Sequence, residues 1–383
     1  MLKITLQHSK DKEVRSLRQN LFFKLSLFGL MVIFLLTACG EGETSSDSDA
    51  DANINNEGEE VETDDTNISV AAHPQGSTYN TIGTAVASGI SKNSSINAAV
   101  TPYSGPNAWM PLLNEGEVEL GIISGPDIAW AYEGDAGYDV NENARVLVKG
   151  NDMVVSGFVV REDSGINEMA DLEGKKVSSD YAGNVIIQRL LEAELVASGL
   201  SWDDVSSVPV SSSPDGMQAI QSGNADAVFG GAPTMPAGNE VHNAIGLKSL
   251  HFADVTPEMV ENEEVPENVL KELQDRLPNS GLTVSDEGYL DGNKTTIAYY
   301  PVYLGAYSEI SDDMAYEIVK TLWENYEELH PVHPMMSGWV PETMFDPEPP
   351  VPYHPGAIKF FEEIDVWTEE AQEHQDNLIE NGS

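Results

Sequence analysis

Five polar, glycine-containing turns, each set at the end of a strand-like run, constrain this chain more than any other feature. They are Gly76-Ser77-Thr78-Tyr79, Ser104-Gly105-Pro106-Asn107, Ser124-Gly125-Pro126-Asp127, Tyr181-Ala182-Gly183-Asn184 and Gly230-Gly231-Ala232-Pro233. The first three follow Ile68 to Ala72, Ala98 to Thr101 and Leu120 to Ile123, and lead into helical spacing over Ile82 to Ile90, Ala108 to Asn114 and through Tyr132. Strands alternating with helices imply a parallel sheet, so the fold class is α/β.

The same grammar restarts after residue 150. Val154 to Val160 reads as a buried strand, Lys176 to Ser178 as another, and Val185 to Ser198 as an amphipathic helix. A strand at Val208 to Val210, a helix at Pro214 to Ser222 and a strand at Ala225 to Phe229 follow. Thr295 to Tyr303 reads as an extended return, before a helix from Asp312 to Leu329 and a proline-rich tail. This repetition predicts two lobes: one from residues 67–153 and 298–383, the other from 154–297, hinged near 150–158 and 293–303.

In open α/β sheets ligands bind at the carboxyl edge of the strands, where helix N-termini present free N–H groups. Turns of this kind in both lobes therefore predict a central cleft. Candidate ligand contacts are Gly76, Ser77, Thr78 and Tyr79, together with Ser104, Asn107 and Ser124 from the first lobe. Tyr181, Gly183, Asn184 and Gly231 come from the second. Each has a plainer alternative: Ser77, Asn107 and Asn184 can simply cap helices, and Tyr181 can simply pack.

The N-terminal residues speak to compartment. Lys3, Lys10, Lys12, Arg15 and Arg18 precede an apolar stretch from Leu21 to Leu36 that ends in Leu36-Thr37-Ala38-Cys39. A basic, then apolar, then small-residue order is that of a secretory signal spanning residues 1–38. Leu-Thr-Ala-Cys resembles the bacterial lipobox, which implies a lipid-modified Cys39 at the membrane surface; a transmembrane anchor is the alternative. Cys39 is the sole cysteine, so no internal disulfide can form. Residues 39–66 read as an acidic tether: eleven acidic and no basic side chains lie between Glu41 and Thr66.

Residues 39–383 keep 13 basic and 62 acidic side chains, a formal charge of −49. Nucleic acid needs clustered lysine and arginine and is a poor partner for such a body. The arginines of this part are Arg145, Arg161, Arg189 and Arg276, none in a candidate turn; Arg189 is the reserve for gripping a carboxylate. His330 and His333 flank Pro331, which breaks the helical spacing two metal ligands would share. No nucleophile elbow, phosphate loop or zincin spacing is present. The chain is expected to be neither an enzyme nor a cofactor or metal carrier, and to be a monomer.

Several segments resemble the TAXI family, the solute receptors of one class of tripartite ATP-independent periplasmic (TRAP) transporters. They are Gly76 to Tyr79 with Ile82-Gly83, Leu112 to Gly121, Val159 to Ile166, Asp171 to Val177, and His354-Pro355-Gly356-Ala357 with Phe360 to Ile364. The third and fourth are shared with many type II periplasmic binding proteins. The resemblance covers most of residues 67–370 and implies the two-lobed type II fold, a hinge, capture of a small polar solute outside the membrane, and delivery to TRAP membrane subunits. It departs from the family at Ser124 to Asp127, where many members have Gln-Ser-Asp, and at Tyr181 to Asn184, where many have Gly-Ser-Gly-Thr. The ligand it suggests is a carboxylate or amino acid meeting backbone N–H groups near Gly76. An ABC importer's receptor is the first alternative, and an extracellular enzyme the second.

Overall fold

The computed structural model describes residues 66–181 and 183–381. The signal segment, Cys39 and residues 39–65 of the tether lie outside the described residues, as does Ala182.

The chain opens with β1 (Thr66–Ala72), α1 (Thr78–Asn93), β2 (Ile96–Pro102), α2 (Pro106–Asn114), β3 (Leu120–Ser124), α3 (Gly125–Glu133) and β4 (Ala144–Lys149). Every residue of β3 is buried, as its Leu-Gly-Ile-Ile-Ser run requires of a strand covered on both faces. Gly121 is needed there because the Trp109 indole of α2 lies against its backbone, leaving no room for a β-carbon. The chain continues with β5 (Met153–Arg161), β6 (Lys176–Ser179), α4 (Val185–Ala197), β7 (Ser206–Pro209), α5 (Ser213–Gln221), β8 (Ala227–Gly231), α6 (Pro236–Ile245) and β9 (Leu247–Ser249). Then come α7 (Pro257–Glu261), α8 (Glu267–Arg276), β10 (Gly281–Ser285), β11 (Thr295–Tyr300) and β12 (Val302–Tyr307). Four helices close the chain: α9 (Asp312–Glu324), α10 (Pro341–Met344), α11 (Pro355–Glu363) and α12 (Glu369–Asn381).

Two sheets result, and the fold is α/β. One has the order β2-β1-β3-β12-β4; the other has β10-β11-β5-β8-β6-β7, with β9 also on β5. The expectation of parallel sheets needs correction. β1 runs parallel to β2 and β3, but β12 is antiparallel to β3 and β4, and β5 is antiparallel to β8 and β11. The reason is the return path. A strand re-entering the first sheet directly from the second, with one residue between β11 and β12, has no crossover helix to reverse it.

The polypeptide passes between the sheets at 150–152 and at Pro301. These two crossings are strapped together. Gly150 N–H donates to Val302 O at 2.7 Å, Met153 pairs with Tyr300 on one side, and Lys149 pairs with Tyr303 on the other.

The tail after β12 packs on the first sheet. Val146 N–H donates to Pro352 O at 3.0 Å and His354 N–H donates to Val146 O at 3.0 Å, which covers the open edge of β4. The helix expected over Asp312 to Leu329 stops at Glu324, where Asn325 ends it and a 3₁₀ turn at Tyr326–Glu328 follows.

Candidate functional site

The carboxyl ends of β1 and β8 and the first turns of α1, α4 and α5 converge on a cavity between the two sheets. From the first sheet's side come His73, Ser77, Thr78 and Tyr79; from the other come Asn184, Ser213 and Gly231. Its apolar wall is built by Met153 and Val155 of β5, Ile186 and Ile187 of α4, and Phe229 and Met235. Tyr300, beside the crossing, completes it. Room for the centres of water-sized spheres amounts to about 30 Å³, which two or three waters would fill at ~10–15 Å³ each.

The polar atoms of this cavity are unusual. Three buried side-chain polar atoms here have no hydrogen-bond partner: His73 Nε2, Thr78 Oγ1 and Asn184 Oδ1; the Tyr79 hydroxyl turns to that of Tyr300. A buried polar group left unpaired costs ~1–3 kcal/mol. Three at one place are therefore the mark of a surface built to meet something.

Each is held by its surroundings. His73 stacks on Tyr79 with ring centroids 4.2 Å apart and an interplanar angle of 14°. Its carbonyl accepts from Asn80 Nδ2 at 3.0 Å. The Asn184 side-chain amide approaches His73 Nδ1 at 3.5 Å across the seam, so one of the two donates to the other and the ring's Nε2 carries the opposite role to Nδ1. Burial pushes the His73 imidazole down to about 3, so it is neutral at physiological pH. Burial, the Tyr300 phenol and the Asp127 carboxyl hold Tyr79 protonated, well above the usual tyrosine range.

Behind this wall lies Asp127, 1% exposed. It accepts from Ser124 Oγ at 2.6 Å and from Tyr138 Oη at 2.9 Å, and burial pushes its carboxyl up to about 6 against the lowering effect of those two bonds.

The sequence-derived candidates separate into three groups. Ser77, Thr78, Tyr79, Asn184 and Gly231 line the cavity. Ser77 does so as a working N-cap: its Oγ accepts from Asn80 N–H at 3.2 Å and donates to Pro74 O at 2.7 Å.

Gly76, Ser104, Asn107 and Gly183, expected in the cleft, lie instead on the seam where the lobes touch. Asn107 N–H donates to Gly183 O at 3.2 Å, Val185 N–H donates to Asn107 Oδ1 at 3.4 Å, and Ala237 N–H donates to Gly76 O at 3.2 Å. Ser104 stands against Gly183, where a β-carbon would come within 2.7 Å of the serine Oγ. These turns carry their backbone polar groups to the edge of the cleft, and the opposite lobe satisfies them.

Ser124 and Tyr181 are removed from the cavity altogether. Ser124 is fully buried, capping α3 and bonded to Asp127. Tyr181, also fully buried, packs edge-on to Phe229; its hydroxyl bonds Ser178 and accepts from Phe229 N–H at 2.9 Å. Turn composition cannot distinguish a tyrosine facing the cleft from one turned back under its own sheet.

Arg189, the reserve carboxylate ligand, stacks over the Trp130 ring at 5.1 Å and contributes no lining atom. His330 and His333 each meet a carbonyl: Trp339 O at 3.4 Å and, across the seam, Thr234 O at 3.1 Å. Sequence reasoning missed His73, Tyr300 and the apolar wall. The usable signal for His73 was a lone imidazole between an apolar strand and Pro74.

A family model described as NMT1-like family matches residues 70–364. Among solved structures, the chain is similar to MatC from Rhodopseudomonas palustris with bound malate (12% identity, 83% of this chain and 99% of that chain covered, TM-score 0.46). It is also similar to a structure described as a periplasmic transporter (15%, 82% and 97%, TM-score 0.47). A third is the alkanesulfonate-binding protein SsuA from Xanthomonas axonopodis pv. citri bound to MOPS (12%, 83% and 97%, TM-score 0.43).

Proposed function

This chain belongs to the NMT1-like family, and from that premise we propose that it is an extracytoplasmic solute receptor, which encloses one small molecule between two lobes and hands it to a membrane transporter. The observation that carries the reading is the cavity between the two sheets at the strand ends, with three unpartnered buried polar atoms. Such atoms are tolerable in a receptor because the ligand supplies their partners when the lobes close. The expected bounds shift to the crossings: residues 66–149 with 302–381 form one moving body and 153–300 the other, turning about the paired crossings at 150–152 and Pro301. Lipid on Cys39 keeps the receptor at the membrane, with residues 39–66 as tether. It acts alone, as a monomer.

Two membrane partners fit. Gly76 to Tyr79, one of the segments resembling TAXI receptors, supplies three of the cavity residues, which favours a TRAP permease. The segments shared with many type II binding proteins, Val159 to Ile166 and Asp171 to Val177, stay outside the cavity, and an ABC importer is the second reading. Uptake in membrane vesicles separates them: an ion gradient drives the first and ATP the second.

The receptor reading is tested by purifying the protein without dialysis, releasing what it carries and identifying it by mass spectrometry. One solute per chain that rebinds and is recovered unchanged supports a receptor. A solute recovered chemically altered makes the chain an enzyme, and recovery of none from a protein grown in rich medium removes the reading.

A further inference from the structure

Every side chain lining the cavity is uncharged at neutral pH. No lysine, arginine, aspartate or glutamate reaches it; His73 is held neutral by burial, and the phenols of Tyr79 and Tyr300 are held protonated. Asp127 is close behind the wall, but both carboxylate oxygens already accept hydroxyl protons, from Ser124 and Tyr138. An anion entering here would meet no counter-ion, and neither would a cation. The N-terminus of α1 offers an anion only partial compensation, and Ser77 Oγ already takes one of its N–H groups, that of Asn80.

The free atoms offer both polarities. The Asn184 amide faces His73 Nδ1, so whichever tautomer the ring takes, the pair leaves one donor and one acceptor, beside the Thr78 hydroxyl. A carboxylate has no proton for the acceptor, and an ammonium has no lone pair for the donor. A carboxamide satisfies both: its carbonyl accepts from the donor and from Thr78, and its N–H donates to the acceptor. Met153, Val155, Ile186, Ile187, Phe229 and Met235 then face whatever short chain the head carries.

We infer that the solute is a small uncharged molecule with a carboxamide-type head, one that donates and accepts hydrogen bonds together, on a short apolar body. The inference rests on the receptor reading and narrows it. It stands against the carboxylate that the sequence resemblance suggests.

Three probes of similar size decide between the classes: propionamide, propionate and propylammonium, each titrated into ligand-free protein by calorimetry at pH 7.5 and 150 mM salt. Propionamide should bind at least tenfold more tightly than either ion. In Asn184→Asp, whose acceptor gains a charge, the amide should weaken at least tenfold and propylammonium become the best of the three. Propionate binding as tightly as the amide, or an unchanged ranking in a folded Asn184→Asp, overturns the inference, as does failure of all three to bind. Its failure and that of the receptor reading stay distinguishable: a charged solute released intact from the purified protein removes the carboxamide head and leaves the receptor, whereas no solute at all removes both.

Discussion

Gly105 lies against the carbonyl of Gly183 so closely that a methyl group on Gly105 would overlap the Gly183 oxygen. The two belong to different lobes, and the contact is part of the seam along which they meet. Gly105 has φ 171° and ψ −177°, extended backbone that alanine adopts freely. Gly105→Ala should therefore fold normally and fail to close. We expect ligand affinity to fall at least tenfold, about 1.4 kcal/mol, with the melting temperature of the ligand-free protein unchanged within a few degrees. Full affinity in this variant would mean that the seam is not part of the bound state.

A second expectation concerns pH. Asp127, raised to about 6, binds its proton more tightly folded than unfolded, so its contribution falls as pH rises from 4 to 6. His73, lowered to about 3, binds its proton more weakly folded, so its contribution grows over the same window. The two slopes nearly cancel near pH 5. Asp127→Asn removes one of them, and relative to the parent its stability should rise by about 2 kcal/mol between pH 4 and pH 6. Urea titrations at the two pH values measure this. A difference between parent and variant that does not change with pH would show that Asp127 is not held protonated at the lower pH.

Glu194 gives a third. Its side chain is fully buried in the second lobe, Oε2 accepts from Phe158 N–H at 3.1 Å, and burial lifts its carboxyl well above the usual carboxylate range, which favours the neutral form. Glu194→Gln should change stability by less than about 1 kcal/mol, because it keeps the acceptor and adds no charge. Gly157→Ala, whose β-carbon would run into that same carboxyl group, should cost about 1–3 kcal/mol. Equal losses in the two variants would indicate an ionised Glu194.

Much of the architecture was legible because the apolar runs are short and the turns between them are rich in glycine, serine and proline. β1, β3 and β5 fall within two residues of their expected bounds. The direction of β12 was not legible, since Thr295 to Tyr303 reads as one extended run and nothing local says that Pro301 splits it between two sheets.

Site residues were legible where polarity and position coincide, as at Thr78 and Tyr79. They were not where seam and cavity draw on the same residue types. Asn107 and Asn184 each precede or begin a helix, yet only the second reaches the cavity.

The segment His354-Pro355-Gly356-Ala357 carries the resemblance for packing reasons. His354 caps α11 through Nδ1, which accepts from Gly356 N–H at 3.1 Å, and bonds Ile310 O at 3.0 Å. A β-carbon on Gly356 would overlap the Asp312 carbonyl. It marks the fold without touching the ligand.

The account turns on the claim that the solute is held by the hydroxyls of the first turn of α1. Calorimetry of the released solute against Thr78→Val/Tyr79→Phe tests it most directly, since the pair removes two hydroxyls and little volume. Each lost hydrogen bond is worth about 0.5–1.5 kcal/mol, so the folded double variant should bind the solute tenfold or more weakly while the parent binds one molecule per chain. Unchanged affinity in a double variant with the parent's circular dichroism would place the ligand elsewhere and contradict the account.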